Sequence, residues 1–291
     1  MKIAYVFPGQ GSQFPGMGHD LYKVGGVYSA LMDRANHILG FNITEIMFNG
    51  SAEDLKKTEV TQPAVFIHSC AIAASHPVPD MVVGHSLGEL AALTTCRAIE
   101  FEEGLKLVSI RAKAMQKCCE KHPGSMAAII GLDKETIEHV CSETEGLVIA
   151  ANYNSPAQVV ISGEKESVAK ACEQMKKKGA KRALELAVSG AFHTPLMEEA
   201  ADELAQAINE CQFKKPLCPI YQNVSATAET DPERIKYNLL KQLTSPVRWE
   251  QSVKAMLEAG ANHFIEMGPG NVLQGLIRRI GGPDIVIEGI Q

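Results

Sequence analysis

Much that would mark other protein classes is missing from this 291-residue chain. No stretch approaches the roughly 18 consecutive apolar residues of a membrane-spanning helix. Only Lys2 stands ahead of the first apolar run, Ile3 to Phe7, without the long apolar region or cleavage site of a leader, so a cytoplasmic protein without a membrane anchor is expected. Positive charge is in deficit. With 28 Lys and Arg against 34 Asp and Glu, the net charge of −6 offers no bulk attraction to nucleic acid or an anionic membrane. None of the eight cysteines stands in C-x-x-C spacing, and the nine histidines contain no H-E-x-x-H pattern. The cysteines read as small core residues of a reducing compartment, and no metal site is expected. A dinucleotide fingerprint is missing too: the loop Pro8 to Gln13 carries G-x-G, but Phe14 stands where the third glycine belongs.

What remains is an ordinary globular composition, 45% hydrophobic and 21% charged, long enough for one large domain or for one carrying a smaller insert. It is organised around Met81 to Cys96. The apolar run Met81-Val82-Val83 enters Gly84-His85-Ser86-Leu87-Gly88 and then a segment rich in Leu, Glu and Ala. Strand, sharp turn and helix are expected, the helix starting at the serine. At such a junction G-x-S-x-G describes a nucleophile elbow, because small residues on either side let the backbone turn tightly under an exposed hydroxyl.

On both sides of this stretch, strands alternate with helices. Ile3 to Phe7 is a strand, Ser29 to Leu39 a helix, and Thr61 a cap for a helix with Pro63 in its first turn. His68, inside that helix, reads as packing. Phe101 to Cys119 is a helix whose apolar stripe is interrupted by Arg111. A snorkelling arginine at the edge of the core and a planar donor placed to grip a carboxylate both fit that position. From Pro123 to Val188 the order becomes β-α-β-β-α-β, the split βαβ pattern of a ferredoxin-like unit. Beyond it, His193 stands in a loop just ahead of a helix that Thr194 caps and Pro195 starts. The expected fold is α/β: an α/β-hydrolase-like core with a mainly parallel sheet, formed by residues 1–122 and 189–291, and an inserted ferredoxin-like subdomain at 123–188.

A serine nucleophile needs a base, and His193, in a loop at a domain junction, is the best candidate. A third, acidic member is not evident. Asp133 is the only aspartate between Ser86 and His193 and reads as a helix cap, while several glutamates there remain open.

Taken together and in order, PGQGSQ, TQPAVF, GHSLGE, the helix with Arg111, NYNSPAQVVISG, AFHTPLM and QLTSPVRW resemble the malonyl-CoA:acyl carrier protein transacylases over nearly the whole chain. The resemblance implies Ser86 as nucleophile and His193 as base, the histidine being oriented by the backbone carbonyl of Gln242 instead of an acid. It implies an oxyanion hole made by the backbone N–H groups of Gln10 and Leu87, with Arg111 holding the malonyl carboxylate. Gln62, Met115, Asn154 and Phe192 would line the pocket, Phe192 crowding out α-branched acyl groups. Malonyl-CoA and acyl carrier protein would be the partners, with no cofactor and no nucleic acid or membrane partner. Lys176, Lys177, Lys178, Lys181 and Arg182 are candidates for docking an acidic carrier. The connection from Ala71 to Asp80 is shorter than the family pattern. A serine thioesterase or other hydrolase on the same elbow, and a non-catalytic carrier-binding module, are the alternatives.

Overall fold

The computed structural model describes residues 1–188 and 190–291. Ser189, the expected first residue of the returning chain, lies outside the described residues. The elements begin with β1 (Lys2–Phe7), α1 (His19–Val24), α2 (Val27–Leu39), α3 (Ile43–Asn49), α4 (Ala52–Lys56) and α5 (Thr58–Ala74). Next are β2 (Met81–Gly84), α6 (Gly88–Thr95) and α7 (Phe101–Lys121). The central stretch forms β3 (Gly124–Ile130), α8 (Lys134–Glu143), β4 (Val148–Ser155), β5 (Gln158–Glu164), α9 (Lys165–Lys177) and β6 (Arg182–Glu185). The last part holds α10 (Glu198–Glu210), β7 (Ile220–Tyr221), β8 (Ala228–Glu229), α11 (Pro232–Gln242), α12 (Trp249–Glu258), β9 (Ala261–Met267), α13 (Val272–Gly281) and β10 (Val286–Ile290).

Six strands form one sheet in the order β10-β9-β1-β2-β7-β8, parallel except for β8. A parallel strand covered on both faces must be apolar on both, and β1 is. Tyr5 and Phe7 join Phe66, Leu90 and Leu105 on one side, while Ala4 and Val6 join Trp249, Val253 and Leu273 on the other. The segment from β3 to β6 makes a separate antiparallel sheet, β4-β5-β3-β6, the ferredoxin-like order. One face, with Ala127, Ile129 and Ile161, packs on Ile137, Val140, Val168 and Met175 of α8 and α9. The other face sends Met126, Ala128 and Val160 into the main core.

Three expectations need correction. The stretch from Leu39 through Ser51, which reads as a polar connection in the sequence, holds the short helix α3 and leads directly into α4. Helix α5 starts at Thr58, because the Lys57 carbonyl already accepts the Val60 and Thr61 amides, both at 2.8 Å. Thr61 is therefore not a cap, and Pro63 falls in the second turn, where it leaves the carbonyl of exposed Glu59 without its usual donor. The expected strand to Val188 ends at Glu185.

Two glycines let the elbow close on the sheet. A Cβ on Gly84 would lie 1.9 Å from the carbonyl carbon of Gly88, and one on Gly88 2.1 Å from the Phe7 carbonyl oxygen. Strand, helix and neighbouring strand thus touch backbone to backbone. Gly88→Ala is expected to destabilise the fold by about 3 kcal/mol or more, since backbone on both sides must move. Gly275→Ala, in α13 with no atom within 4 Å of the new methyl, should instead stabilise by about 1 kcal/mol. Urea denaturation of both variants checks the contrast, and equal effects would show that the contacts at Gly88 do not matter.

Candidate active site

The elbow differs from expectation in one respect that matters for chemistry. Helix α6 starts at Gly88, two residues after the serine, because Ser86 has φ +52°, outside the helical range. Residues in that region cost about 1–3 kcal/mol and persist only where the surroundings hold them. Here the Ser86 N–H donates to Asn223 Oδ1 at 2.7 Å, and its carbonyl accepts from Gln242 Nε2 at 2.9 Å and from the Glu89 amide at 3.0 Å.

His193 also has a positive φ, +62°, in the loop that Thr194 ends by capping the turn at Pro195. Its Nε2 lies 2.8 Å from Ser86 Oγ. Its Nδ1 faces two backbone carbonyls, Gln242 at 3.0 Å and Ser245 at 3.1 Å. Carbonyls only accept, so Nδ1 carries the hydrogen and Nε2 offers a lone pair to the serine hydroxyl. Gln242 is the last residue of α11, and its carbonyl is one of the four a helix leaves free at its negative end. That end stands where a hydrolase places an aspartate.

Arg111 projects from α7 into the same space and is 1% exposed. Its Nη1 donates to Gln62 Oε1 at 2.7 Å; its Nη2 donates to Ser86 Oγ at 3.0 Å and to Gln242 Oε1 at 3.4 Å. Nε is buried without a partner, and among the described residues no carboxylate comes within ion-pair distance of the guanidinium. Burial draws Arg111 down to about 10, which leaves it protonated at neutral pH. Burial first and then the charge of Arg111 push the His193 imidazole down to about 3. Burial holds Glu89 up at about 7 against the opposing pull of Asn223, Gln242, Gln222 and Arg111.

The other predicted residues take these places. Gln62 Nε2 reaches Met115 Sδ at 3.3 Å and Gln10 Oε1 at 3.5 Å, tying both residues to Arg111. Gln10 follows β1 on a loop that presses on the elbow, a Cβ at Gly9 falling 2.7 Å from the His85 carbonyl. The amides of Gln10 and Leu87 have no hydrogen-bond partner among the described residues. Asn154 joins indirectly, its Oδ1 2.8 Å from His85 Nε2. Phe192 lies in the main core with its ring beside Gly190, and no contact to Arg111 or Ser86 is recorded for it. A cavity of about 280 Å³ between the two sheets is lined by Gln10, His85, Asn152, Asn154, Val160 and Leu276. A larger one of about 450 Å³, beneath the connection at residues 76–78, contains Arg34, Arg97 and Thr95 but no nucleophile with a base. No cluster of three or more metal-ligating side chains occurs among the described residues.

Sequence reading passed over Asn223, Glu89, Ser245 and the side chain of Gln242. One signal was available: Gln222-Asn223 directly follows the apolar end of a strand, and ligand sites of open parallel sheets lie outside the carboxyl ends of strands. The base is also tied to the small sheet. Val247 N donates to the Ala151 carbonyl at 2.8 Å and the Tyr153 amide to the Val247 carbonyl at 2.9 Å, joining β4 to the loop that carries the Ser245 carbonyl.

Residues 4–281 match the acyl transferase domain family. The chain belongs to that family. Among the relatives of this acyltransferase, the malonyl CoA-acyl carrier protein transacylase of Staphylococcus aureus (strain MRSA252) is 40% identical over 295 residues, covering 100% of this chain and 96% of its own. An acyl carrier protein S-malonyltransferase from Vibrio cholerae aligns with TM-score 0.95 at 42% identity, covering 100% of this acyltransferase and 97% of its own chain. A malonyl-transacylase in complex with a type II PKS acyl-carrier protein aligns at TM-score 0.94 and 40% identity, covering 99% and 95%. Among the described residues, no helix of this acyltransferase is long and apolar enough to cross a membrane.

A depressed histidine stays neutral where a free one titrates. NMR of the His193 ring should find the Nδ1–H tautomer unchanged from pH 8 to pH 5, through the usual 6.5. An imidazolium signal at pH 6 would show that burial and Arg111 do not hold the ring neutral. The sign for stability follows: the unfolded chain takes up this proton near 6.5 and the folded one does not, so the group's contribution to stability declines as pH falls below about 6.5.

Proposed function

We propose that this chain transfers a malonyl group from malonyl-CoA to the phosphopantetheine thiol of acyl carrier protein through a malonyl ester on Ser86, supplying fatty acid biosynthesis. The observation that carries the reading is Arg111: a buried cation that has no carboxylate partner among the described residues and touches the serine hydroxyl. Burying an unpaired charge is expensive, and a substrate carboxylate removes the cost. The names of the relatives support the same substrates. On this reading residues 1–122 and 189–291 are the catalytic domain, 123–188 is the insert, and the enzyme is cytoplasmic and needs no cofactor.

The malonyl carboxylate takes the guanidinium, whose planar fork matches two oxygens. Ser86 Oγ attacks the thioester carbonyl while His193 Nε2 accepts its proton. The tetrahedral oxyanion lies against the Gln10 and Leu87 amides, each such donor being worth about 3–4 kcal/mol. The intermediate collapses, the C–S bond breaks, and His193 returns the proton to the departing coenzyme A thiolate. The carrier thiol then gives its proton to His193 and attacks the Ser86 ester, and the serine leaves reprotonated, a ping-pong sequence. Arg111 also weakens the base, so pairing it with the substrate carboxylate makes His193 more basic once the correct acyl group is bound.

Intact mass measurement after mixing with malonyl-CoA should find one malonyl adduct, absent in Ser86→Ala. Lack of an adduct on the unaltered protein would favour a non-catalytic carrier-binding module, and rapid loss of the adduct to water without carrier a thioesterase. Arg111→Ala should lower malonyl transfer by roughly 10²–10³-fold, about 3–4 kcal/mol at 1.36 kcal/mol per decade, and raise acetyl transfer relative to it. Unchanged selectivity would exclude the clamp. Charge reversal at Lys176, Lys177, Lys178, Lys181 and Arg182, several of them at the exposed end of α9, should raise KM for the carrier and leave acylation by malonyl-CoA unaltered. Carrier kinetics that do not change would remove this patch from the docking surface.

A further inference from the structure

The turn from Gly84 to Ser86 has two backbone groups that the sheet cannot pair, because β2 ends at Gly84 and its neighbour β7 at Tyr221. The parallel register Val82↔Ile220, Val83↔Tyr221 carries the chain two residues further, bringing Asn223 beside the elbow. There its side-chain amide acts as a missing rung. Nδ2 donates to the Gly84 carbonyl at 2.6 Å and Oδ1 accepts the Ser86 N–H at 2.7 Å, so one planar group spans the turn.

Asn223 is itself fixed from behind. Its own N–H donates to Glu89 Oε2 at 2.7 Å, its carbonyl accepts the Arg248 amide at 3.0 Å, and Glu89 Oε1 accepts Gln222 Nε2 at 3.2 Å. Glu89 and Gln222 are fully buried and Asn223 is 1% exposed, so these bonds do not compete with solvent. The carboxylate of Glu89 therefore reaches Ser86 through one residue.

We propose that Asn223 is a positioning residue for acyl transfer, its amide setting the orientation of Ser86 and of the Ser86–Leu87 peptide, with Glu89 as its anchor. This rests on Ser86 being the acylated residue. By occupying the Ser86 N–H, Asn223 withdraws that donor from the oxyanion and leaves the next amide, Leu87, to serve. Asn223 holds the peptide before Ser86, and Gln242 Nε2 with the Glu89 amide holds the carbonyl of the peptide after it. The direction of the Leu87 N–H is thereby constrained on both sides of the serine. A contact of this kind acts on the reaction step and not on substrate binding, because both polar ends of the Asn223 amide are taken up by the elbow backbone and the residue is buried.

The test compares acylation of Ser86 by malonyl-CoA, by rapid quench and intact mass, with the Kd of an unreactive thioether analogue of malonyl-CoA. Asn223→Ala should slow acylation about 100-fold, the scale of an approximately 1 Å misplacement, while Kd for the analogue changes less than threefold. Asn223→Asp keeps the acceptor for the Ser86 N–H but turns a carboxylate oxygen on the Gly84 carbonyl in place of the Nδ2 donor, and should be slowed comparably at pH 8. Protonating that Asp restores a donor to the Gly84 carbonyl, so its acylation rate relative to the unaltered protein should recover at least tenfold as the pH is lowered from 8 to 5. Acylation within threefold of the unaltered protein in Asn223→Ala, or a parallel loss of rate and analogue binding, overturns the proposal. If Asn223→Ala does not fold, Asn223→Asp decides alone: recovery of the relative rate at low pH supports the role, and a ratio that stays flat with pH overturns it. The unaltered protein is run alongside, and its failure to form an adduct would count against acylation at Ser86 itself, separately from Asn223.

Discussion

A guanidinium held out of water is the constraint on which the site depends. Arg111 is fully enclosed, and each of its partners is a neutral oxygen: Gln62 Oε1, Gln242 Oε1 and Ser86 Oγ. Neutral acceptors satisfy hydrogen bonds without cancelling charge, so the positive potential remains in the pocket. It lowers the neighbouring imidazole and favours the ionised form of Glu89 against burial. On the proposed function, selectivity and basicity are coupled through this one side chain.

The same potential accounts for how the histidine is supported. A carboxylate beside His193 would also lie near Arg111 and compete with a substrate anion for it. The end of α11 supplies a partial negative charge through Gln242 and Ser245 carbonyls, enough to fix the tautomer and too weak to neutralise the guanidinium. Gln242 serves with both halves: its carbonyl orients the base, and its side chain links Arg111 to the Ser86 carbonyl.

Sequence disclosed the parts of this arrangement that have a local signature. The elbow was visible because Gly84 and Gly88 are required wherever backbones touch, and the parallel sheet because β1 and β2 are apolar on both faces. The small β-α-β-β-α-β unit was legible from its change of period. Arg111 was visible as a charge within an apolar stripe, although its partners were not. Asn223, Glu89 and Ser245 were not legible. Their contacts join residues 134 to 137 positions apart at the elbow, or 52 at His193, and the only local mark is the strand end ahead of Asn223, which points to a site without naming its partners. The helix start at Thr58 was missed because a proline at Pro63 resembles a first-turn residue, whereas the carbonyl of Lys57 decides the boundary.

The pairing of Val247 with Ala151 and Tyr153 has a consequence for how such enzymes diversify. The loop whose Ser245 carbonyl faces His193 is also bridged, at Val247, to the small antiparallel sheet. The small sheet and the support of the His193 ring are therefore mechanically one piece, and neither moves without the other. Any graft that shifts β4 by a single register step carries the Ser245 carbonyl with it and retunes the imidazole.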